Sequence, residues 1–196
     1  MTYVFLTIGW VIYYSLHTLL ADLQVKKFVY TKVPTLKDWY RLIYNLLALS
    51  GLILLIYFSF LQETLLWEFQ TWHWIPVLVF GIPGLVIMGK SAKTFDLPEF
   101  FGLIKSTAMD KGASEEGLIQ SGLYAYVRHP LYIGTILFVL SIVFLFPLVS
   151  LGIFFVSMLI YLPIGIHFEE KKLIREYGHT YKAYQKRVKR LIPGVY

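Results

Sequence analysis

Long apolar runs dominate this chain, and they restrict it to a protein built from membrane helices. The runs extend from about Thr2 to Ala21, Leu42 to Leu61, Trp74 to Met88, Leu131 to Phe146 and Leu151 to Ile166. Crossing roughly 30 Å of hydrocarbon takes about 20 residues of helix. Only 15% of the residues are charged, whereas soluble domains carry about 25%. We therefore predict an all-α integral membrane protein with about five transmembrane helices in a single domain, 1–196.

The basic residues set the expected orientation. Loops that contain Lys or Arg alternate with loops that lack them, and membrane proteins keep the former in the cytoplasm. The first loop, the polar segment 91–128 and the tail from Glu169 should therefore be cytoplasmic, with the N-terminus outside. The net charge of +6 is explained by this topology, so we expect no nucleic-acid partner. The chain has no cysteine, which excludes disulfides and thiolate catalysis by the protein.

The last two runs should form a helical hairpin that turns at Pro147. Both are short, so a four-span count with a partly re-entrant hairpin also fits. From about Glu169 to Val188, apolar residues recur at spacings of three and four, with basic residues between them. This pattern predicts a cytoplasmic amphipathic helix, which Gly178 divides in two. Basic amphipathic helices commonly lie on anionic membranes, so membrane lipid is an expected partner.

A charged motif, Arg128-His129-Pro130, immediately precedes the fourth run. Proline suits the first turn of a helix, so Pro130 should fix where that helix begins. Arg128 and His129 are then well placed to bind a carboxylate at the membrane boundary. Contact of Arg128 with lipid phosphate explains the arginine equally well.

Two further polar clusters lie at the same membrane face. Glu169 and Glu170 follow the fifth run and suit a positively charged ligand, although acidic residues also favour helix N-termini. Neighbours on a helix do not share a face, so at most one should reach a given pocket. His17 and Asp22 end the first run. An intramembrane histidine is either a candidate base or a partner in one helix–helix hydrogen bond.

The residues that open the second run extend this cluster; they are Tyr40, Arg41, Tyr44 and Asn45. Among them, Arg41 is the candidate for contact with the substrate. The glycines from Gly81 to Gly89 fall inside the third run and favour close helix packing over phosphate binding. The histidines lack the tight spacing of a metal site, so we expect no metal.

The motifs together resemble the membrane methyltransferases related to isoprenylcysteine carboxyl methyltransferase and phospholipid methyltransferase. The resemblance covers the C-terminal half, 91–196, and follows the spans of 1–90. It rests on the pattern Gly122-x-Tyr124-x-x-x-Arg128-His129-Pro130-x-Tyr132-x-Gly134, on Glu169-Glu170-x-x-Leu173, and on Tyr177-Gly178-x-x-Tyr181-x-x-Tyr184. The N-terminal half is similar to a bacterial branch that includes methanethiol S-methyltransferases. The similar segments there are Ser15-Leu-His17-Thr-Leu-Leu-Ala21, Arg41-x-x-Tyr44-Asn45 and Thr94-Phe-Asp96-x-x-x-Phe100-Phe-Gly102.

The resemblance implies an enzyme that uses S-adenosylmethionine at a cytoplasmic site, in the bacterial inner (cytoplasmic) membrane. Matched by position, the cofactor would contact Leu118, Ile119, Tyr124, His129, Pro130, Tyr132 and Glu169, with Arg128 and Glu170 beside them. Glu169 would bind the ammonium of the cofactor, and Arg128 or His129 its carboxylate. His17 or His167 would assist deprotonation of a thiol acceptor.

Two departures from the isoprenylcysteine enzymes bear on the acceptor. An arginine found in those enzymes one turn before the first glutamate is Gly165 here, which leaves space at that position, and a histidine of their cofactor loop is Glu116. We therefore expect a small or lipophilic thiol as acceptor. Carboxyl methylation of isoprenylcysteine, or N-methylation of a lipid amine, is the alternative within the same class. A small transport or assembly subunit is the non-enzyme alternative, but the polar residues gather at one face and form no path across the membrane.

Overall fold

The computed structural model describes residues 1–104 and 117–194, apart from the side chains of residues 99 and 100. The described residues form helices and no strand, with two isolated β-bridges. The helices are α1 (Thr2–Ala21), α2 (Leu23–Lys32), α3 (Tyr40–Phe60), α4 (Trp74–Ala92), α5 (Leu97–Phe101), α6 (Pro130–Leu145) and α7 (Val149–Arg187). Short 3-10 helices cover Pro34–Leu36, Thr71–His73 and Gly122–Ala125.

The predicted runs coincide with helices, and Pro130 is the first residue of α6, as its position before the fourth run predicted. Four of the described helices are long and apolar enough to cross a membrane, namely α1, α3, α7 and α4 with the 3-10 turn before it. Helix α6 is equally apolar but has only 16 residues. The protein is therefore an all-α integral membrane protein.

The fifth run and the tail form one helix, where the sequence indicated two separate elements. Helix α7 has 39 residues, or about 58 Å at 1.5 Å per residue, which is nearly twice the hydrocarbon thickness. Its only residue with non-helical dihedral angles is Gly178, at φ 54° and ψ −121°. The predicted division at Gly178 is therefore a kink, because glycine tolerates this conformation without a steric penalty.

The sequence does not predict helix α2, because its basic residues fit the cytoplasmic loop expected after α1. Asp22 caps its N-terminus, with Oδ1 accepting hydrogen bonds from the backbone N–H groups of Gln24 at 2.7 Å and Val25 at 3.4 Å. An aspartate in this position satisfies backbone donors that the first turn leaves unpaired. Asp22 thus has a structural role, in addition to its place near His17.

Glycines allow α4 and α6 to pack with their backbones in close approach. A Cβ added at Gly84 would lie 2.7 Å from the backbone nitrogen of Phe138 and 2.9 Å from the carbonyl oxygen of Gly134. A Cβ at Gly134 would in turn lie 2.9 Å from the carbonyl oxygen of Gly84. Small residues let membrane helices approach in this way, which is the packing role predicted for this stretch.

Backbone pairing joins the loops at the end of the bundle away from the motif Arg128-His129-Pro130. The amide of Leu66 donates to the carbonyl of Pro147 at 2.6 Å, and that of Val149 to Thr64 at 2.9 Å. The buried hydroxyl of Ser150 donates to the carbonyl of Ser59 at 2.6 Å. These bonds connect the turn between α6 and α7 to the C-terminal end of α3 and to the loop that follows it.

We predict that Gly84→Ala destabilises the protein, whereas Gly89→Ala on the same helix does not. The added methyl at Gly84 would overlap backbone atoms, and overpacking of this kind costs about 1–3 kcal/mol. A Cβ at Gly89 meets nothing within 4 Å, and alanine favours the helix by roughly 0.5–1 kcal/mol. Thermal unfolding of both variants in detergent measures the difference. Equal midpoints would contradict the close packing.

Candidate active site

A cavity of about 600 Å³ opens at the end of the bundle that carries the motif, between α1, α2, α3, α6 and α7. Its wall contains residues from the last turns of α1, the first turns of α3 and α6, and the part of α7 that precedes Gly178. The lining residues used below are His17, Thr18, Asp22, Lys26, Arg41, Tyr44, Asn45, Tyr132, Tyr161, Gly165, Glu169, Lys172 and Arg175. Residues distant in sequence thus share one site.

Hydroxyl groups and one imidazole form the wall of the cavity contributed by α1, α3 and α7. The hydroxyl oxygen of Tyr44 lies 3.1 Å from each ring nitrogen of His17. Tyr161 and Thr18 share a hydrogen bond of 2.8 Å between their hydroxyls. Tyr161 also stacks on Tyr14, with ring centroids 4.3 Å apart. These contacts connect α1 to both α3 and α7 and fix the polar groups that face the cavity.

Tyr132 and Glu169 form the opposite wall. The Tyr132 hydroxyl donates to Glu169 Oε2 at 2.7 Å, and the Glu169 side chain is 42% exposed. His129 lies behind them, with its side chain buried and its ring stacked on that of Tyr132 at 5.4 Å. His129 Nδ1 is 3.5 Å from Glu169 Oε2. The wall therefore presents a carboxylate and an aromatic face, a combination that attracts cations.

Glu170 points away from the cavity into a buried polar cluster. Its Oε1 lies 2.6 Å from Arg128 Nη2 and accepts from Arg128 Nε at 2.7 Å, while its Oε2 lies 3.0 Å from Arg190 Nη2. Gln185, Tyr181 and His129 approach the same carboxylate at 3.2, 3.4 and 3.3 Å. Glu170 and Arg128 are 3% and 8% exposed, so the pair is stabilised mainly by these hydrogen bonds rather than by solvent.

The segment after α7 folds back along the residues before α6. The backbone amides of Arg128 and His129 donate to the carbonyls of Lys189 and Arg190 at 2.8 and 3.1 Å. The Arg128 guanidinium also donates to the carbonyls of Gln185 and Val188. Arg128 therefore holds the C-terminal segment against the start of α6.

Cationic side chains surround the mouth of the cavity. Lys26 projects from α2, with Nζ 5.9 Å from the centroid of the Tyr40 ring. Partial burial, followed by repulsion from Lys172 and Arg41, lowers the pKa of Lys26 to about 8, although Glu176 and Asp22 oppose the shift. Burial disfavours the charged form of any lysine and is the largest cause of this shift, and the two neighbouring cations add to it.

Comparison with known proteins shows which sequences this chain resembles. A model of the isoprenylcysteine carboxyl methyltransferase (ICMT) family matches residues 84–175. Methanethiol S-methyltransferase 1 of Bradyrhizobium diazoefficiens is 32% identical over 158 residues, or 78% of this chain and 54% of the relative. Protein-S-isoprenylcysteine O-methyltransferase of Dictyostelium discoideum is 30% identical over 127 residues, or 54% of this chain and 53% of the relative. Over residues 84–175 the chain is similar to the ICMT family.

The relatives named methanethiol S-methyltransferase agree with the branch expected from the N-terminal motifs. A second such protein of Bradyrhizobium diazoefficiens is 28% identical over 189 residues, which cover 83% of this chain. The chain spans 54% and 66% of the lengths of the two Bradyrhizobium proteins. No solved structure matches the chain.

Some of the site residues expected in this ICMT-like chain line the cavity and others do not. His17, Arg41, Tyr132 and Glu169 do, and so does Gly165, where space beside Glu169 was expected. His167 is exposed and lies outside the lining. The remaining candidates do not line the cavity: Leu118 and Ile119 are half-buried, and Tyr124, Arg128, His129, Pro130 and Glu170 are buried. Glu116 lies outside the described residues.

Arg128 has a different partner from the ligand carboxylate that the sequence suggested. Its guanidinium is occupied by Glu170 and by backbone carbonyls. The cations that face the cavity are instead Lys26, Arg41, Lys171, Lys172 and Arg175. From the sequence, Lys26 belongs to the basic first loop expected in the cytoplasm, and Lys172 to the basic residues of the expected amphipathic helix. The aspartate cap of α2 is the signal that would have indicated a helix, and thereby directed Lys26 inward.

We predict that Glu170→Gln destabilises the protein by about 3 kcal/mol, because loss of one partner leaves buried guanidinium charge uncompensated. Glu169→Gln is the matched control, since its carboxylate is partly exposed and lies on the cavity wall. Its effect on the free energy of unfolding should stay below about 1 kcal/mol. Denaturation of both variants in micelles measures the two values. A stable Glu170→Gln protein would refute the structural role of Glu170.

Proposed function

We propose that the protein is an S-adenosylmethionine-dependent membrane methyltransferase whose acceptor is a small or lipophilic thiol. The observation that carries this proposal is one continuous cavity with Tyr132 and Glu169 on one wall and His17 on another. The family model and the relatives named methanethiol S-methyltransferase support methyl transfer to sulfur. Four membrane-length helices support a membrane location, and we assign the protein to the bacterial inner membrane with the cavity facing the cytoplasm, following its basic loops.

The chemistry of the Glu169 wall fits the proposed donor. S-adenosylmethionine supplies an electrophilic methyl group on a sulfonium and also carries an ammonium and a carboxylate. Glu169 would bind the ammonium, and the Tyr132 ring would face positive charge. The Tyr132 hydroxyl orients the Glu169 carboxylate through its 2.7 Å bond. Leu118, Ile119, Tyr124, His129 and Pro130 would complete the donor site from behind this wall, while Arg128 and Glu170 would support it.

The wall formed by α1 and α3 would receive the acceptor. Methyl transfer is a displacement in which the acceptor sulfur bonds to the methyl carbon as the bond from the sulfonium breaks, so the protein mainly has to align the reactants. The thiolate is the nucleophile, and the thiol proton must go to a base. His17 is positioned for this role by the Tyr44 hydroxyl, and Arg41 would stabilise the thiolate. His167 is a weaker candidate because it is exposed.

We expect S-adenosylhomocysteine to bind the purified protein in nanodiscs, and Glu169→Gln to weaken that binding about tenfold or more. A charge-assisted hydrogen bond contributes about 1.5–3 kcal/mol, which corresponds to at least one order of magnitude. Glu176→Gln removes an exposed carboxylate from the same helix outside the cavity lining and should leave the affinity unchanged. Isothermal titration measures both. Absence of binding to the wild type would eliminate the enzyme proposal.

We expect His17→Phe to reduce kcat for methylation of 1-propanethiol about 100-fold, the lower end of what a positioned base contributes. Phenylalanine preserves the ring packing of His17 against Tyr13 and Tyr44. His167→Phe should leave kcat within about twofold of the wild type, well below a catalytic effect. Transfer of labelled methyl from S-adenosylmethionine is the readout. A larger loss in His167→Phe would reverse the two assignments.

Carboxyl methylation of isoprenylcysteine is the second candidate function, and the family model together with the Dictyostelium relative favours it. Offering a farnesylcysteine analogue beside 1-propanethiol separates the two. Label in the farnesylcysteine analogue alone would overturn the thiol assignment. A protein that binds S-adenosylhomocysteine but methylates neither compound would direct attention to lipid amines.

A further inference from the structure

One face of α7 changes in chemistry along its length where it borders the cavity. Gly165, Glu169, Lys172 and Arg175 all line the cavity, and their spacings of three and four residues keep them on one face of the helix. Gly165 provides space and Glu169 provides a carboxylate, while Lys172 and Arg175 provide positive charge. At 1.5 Å per residue, Lys172 lies about 4.5 Å beyond Glu169 along the axis.

Two other elements add positive charge to this end of the cavity. Lys26 comes from α2 and Arg41 from the start of α3, and both line the cavity with Lys172. Lys26 and Lys172 are only half-buried. In the part of the chain that the structure describes, no carboxylate forms an ion pair with Lys26, Lys172 or Arg175. We call Lys26, Lys172 and Arg175 the basic rim.

The donor does not account for the basic rim. S-adenosylmethionine has two positive groups and one negative group, so its net charge is positive and a concentration of like charge repels it. The carboxylate suited to its ammonium, Glu169, lies about one turn before Lys172 on α7 and is not part of the rim. Repulsion from Lys172 and Arg41 adds to the effect of burial in lowering the pKa of Lys26 to about 8, so these cations lie close enough to act on one group. The rim is therefore arranged for a negative group that arrives with another ligand.

Building on the proposed thiol methylation, we propose that the acceptor is a thiol that also carries an anionic group, and that Lys26, Lys172 and Arg175 bind that group. The sulfur then points toward Tyr132 and His17, and the anion remains at the cavity mouth. The rim excludes acceptors that carry a positive charge. This assigns a substrate subsite distinct from the wall that holds the donor.

Three thiols of similar size test the subsite: 3-mercaptopropionate, 1-propanethiol and cysteamine, which are anionic, neutral and cationic. For the wild type, KM should increase in that order. Lys26→Met and Lys172→Met should each raise KM for 3-mercaptopropionate about tenfold, the equivalent of one lost charge-assisted bond. KM for 1-propanethiol should change less than twofold. Lys27→Met is the matched control, because Lys27 is exposed on the same helix and does not line the cavity.

A pH series separates the charge of Lys26 from its shape. The thioether product, 3-(methylthio)propionate, has no thiol to titrate and should act as a competitive inhibitor. Its affinity for the wild type should fall as the pH rises through about 8, because Lys26 loses its proton there. Lys26→Arg keeps the charge and should bind the inhibitor with no such fall. The other charged groups around Lys26 are Asp22, Arg41, Lys172 and Glu176, and both proteins contain them.

Several results would refute the proposed acceptor subsite. If rim variants lower affinity for S-adenosylhomocysteine while leaving the order of KM values intact, the rim binds the carboxylate of the donor. If the effect of the variants depends on phosphatidylglycerol in the nanodisc and not on acceptor charge, the rim binds lipid headgroups. Equal KM values for the three thiols also refute it, with thiol methylation intact. Failure of all three thiols would instead remove the proposed function itself.

Discussion

The buried carboxylate of Glu170 is the interaction on which the site end of the protein depends. It joins α7 to Arg128 before α6 and to Arg190 beyond α7, so three segments of the chain meet at one charge. Burying ions is costly, and an ion pair offsets that cost only when the remaining polar atoms are hydrogen-bonded. Here Gln185, Tyr181 and the backbone carbonyls of the returning segment supply those bonds. The arrangement specifies where the C-terminal segment lies.

The neighbouring carboxylate of Glu169 has the opposite environment, although the two residues are adjacent in the sequence. Successive residues on a helix point about 100° apart, so Glu170 faces the packed interior while Glu169 faces the cavity. His129 contacts both, with Nε2 3.3 Å from Glu170 and Nδ1 3.5 Å from Glu169. The scaffold and the cavity wall are thus coupled through one imidazole. A change at Glu170 should alter the orientation of Glu169 through His129, without any direct contact with ligand.

The sequence predicted the helices well because apolar length and proline position determine them directly. The limits of α1 and the start of α6 at Pro130 follow from local rules.

The choice of ion-pair and hydrogen-bond partners followed no local rule. Arg128 was left for a ligand because nothing in its motif shows that residues 185–190 fold back upon it. Helix α2 was missed for a related reason. Membrane topology alone accounts for five basic residues near a membrane surface, and the cap at Asp22 was the only signal that indicated a helix. The pair Glu169 and Glu170 was expected to divide between two faces, but which one faced the cavity required the structure.

The cavity has two chemically different ends. Its inner wall consists of aromatic and hydroxyl groups on α1, α3 and α7, and its mouth carries the basic rim. An amphiphilic ligand bound there would place its less polar part toward the membrane and its charge toward water, which is also the arrangement that costs least desolvation. The reacting sulfur would then approach Tyr132 and Glu169 from the apolar side. Gly165 makes this approach possible, because a larger side chain at that position would fill the space in front of the Tyr161 ring, only 3.3 Å from an added Cβ. The absence of a side chain at Gly165 and the presence of positive charge at Lys172, two turns later, are parts of one helix face. In the proposed reaction this face would orient the acceptor along the axis of α7.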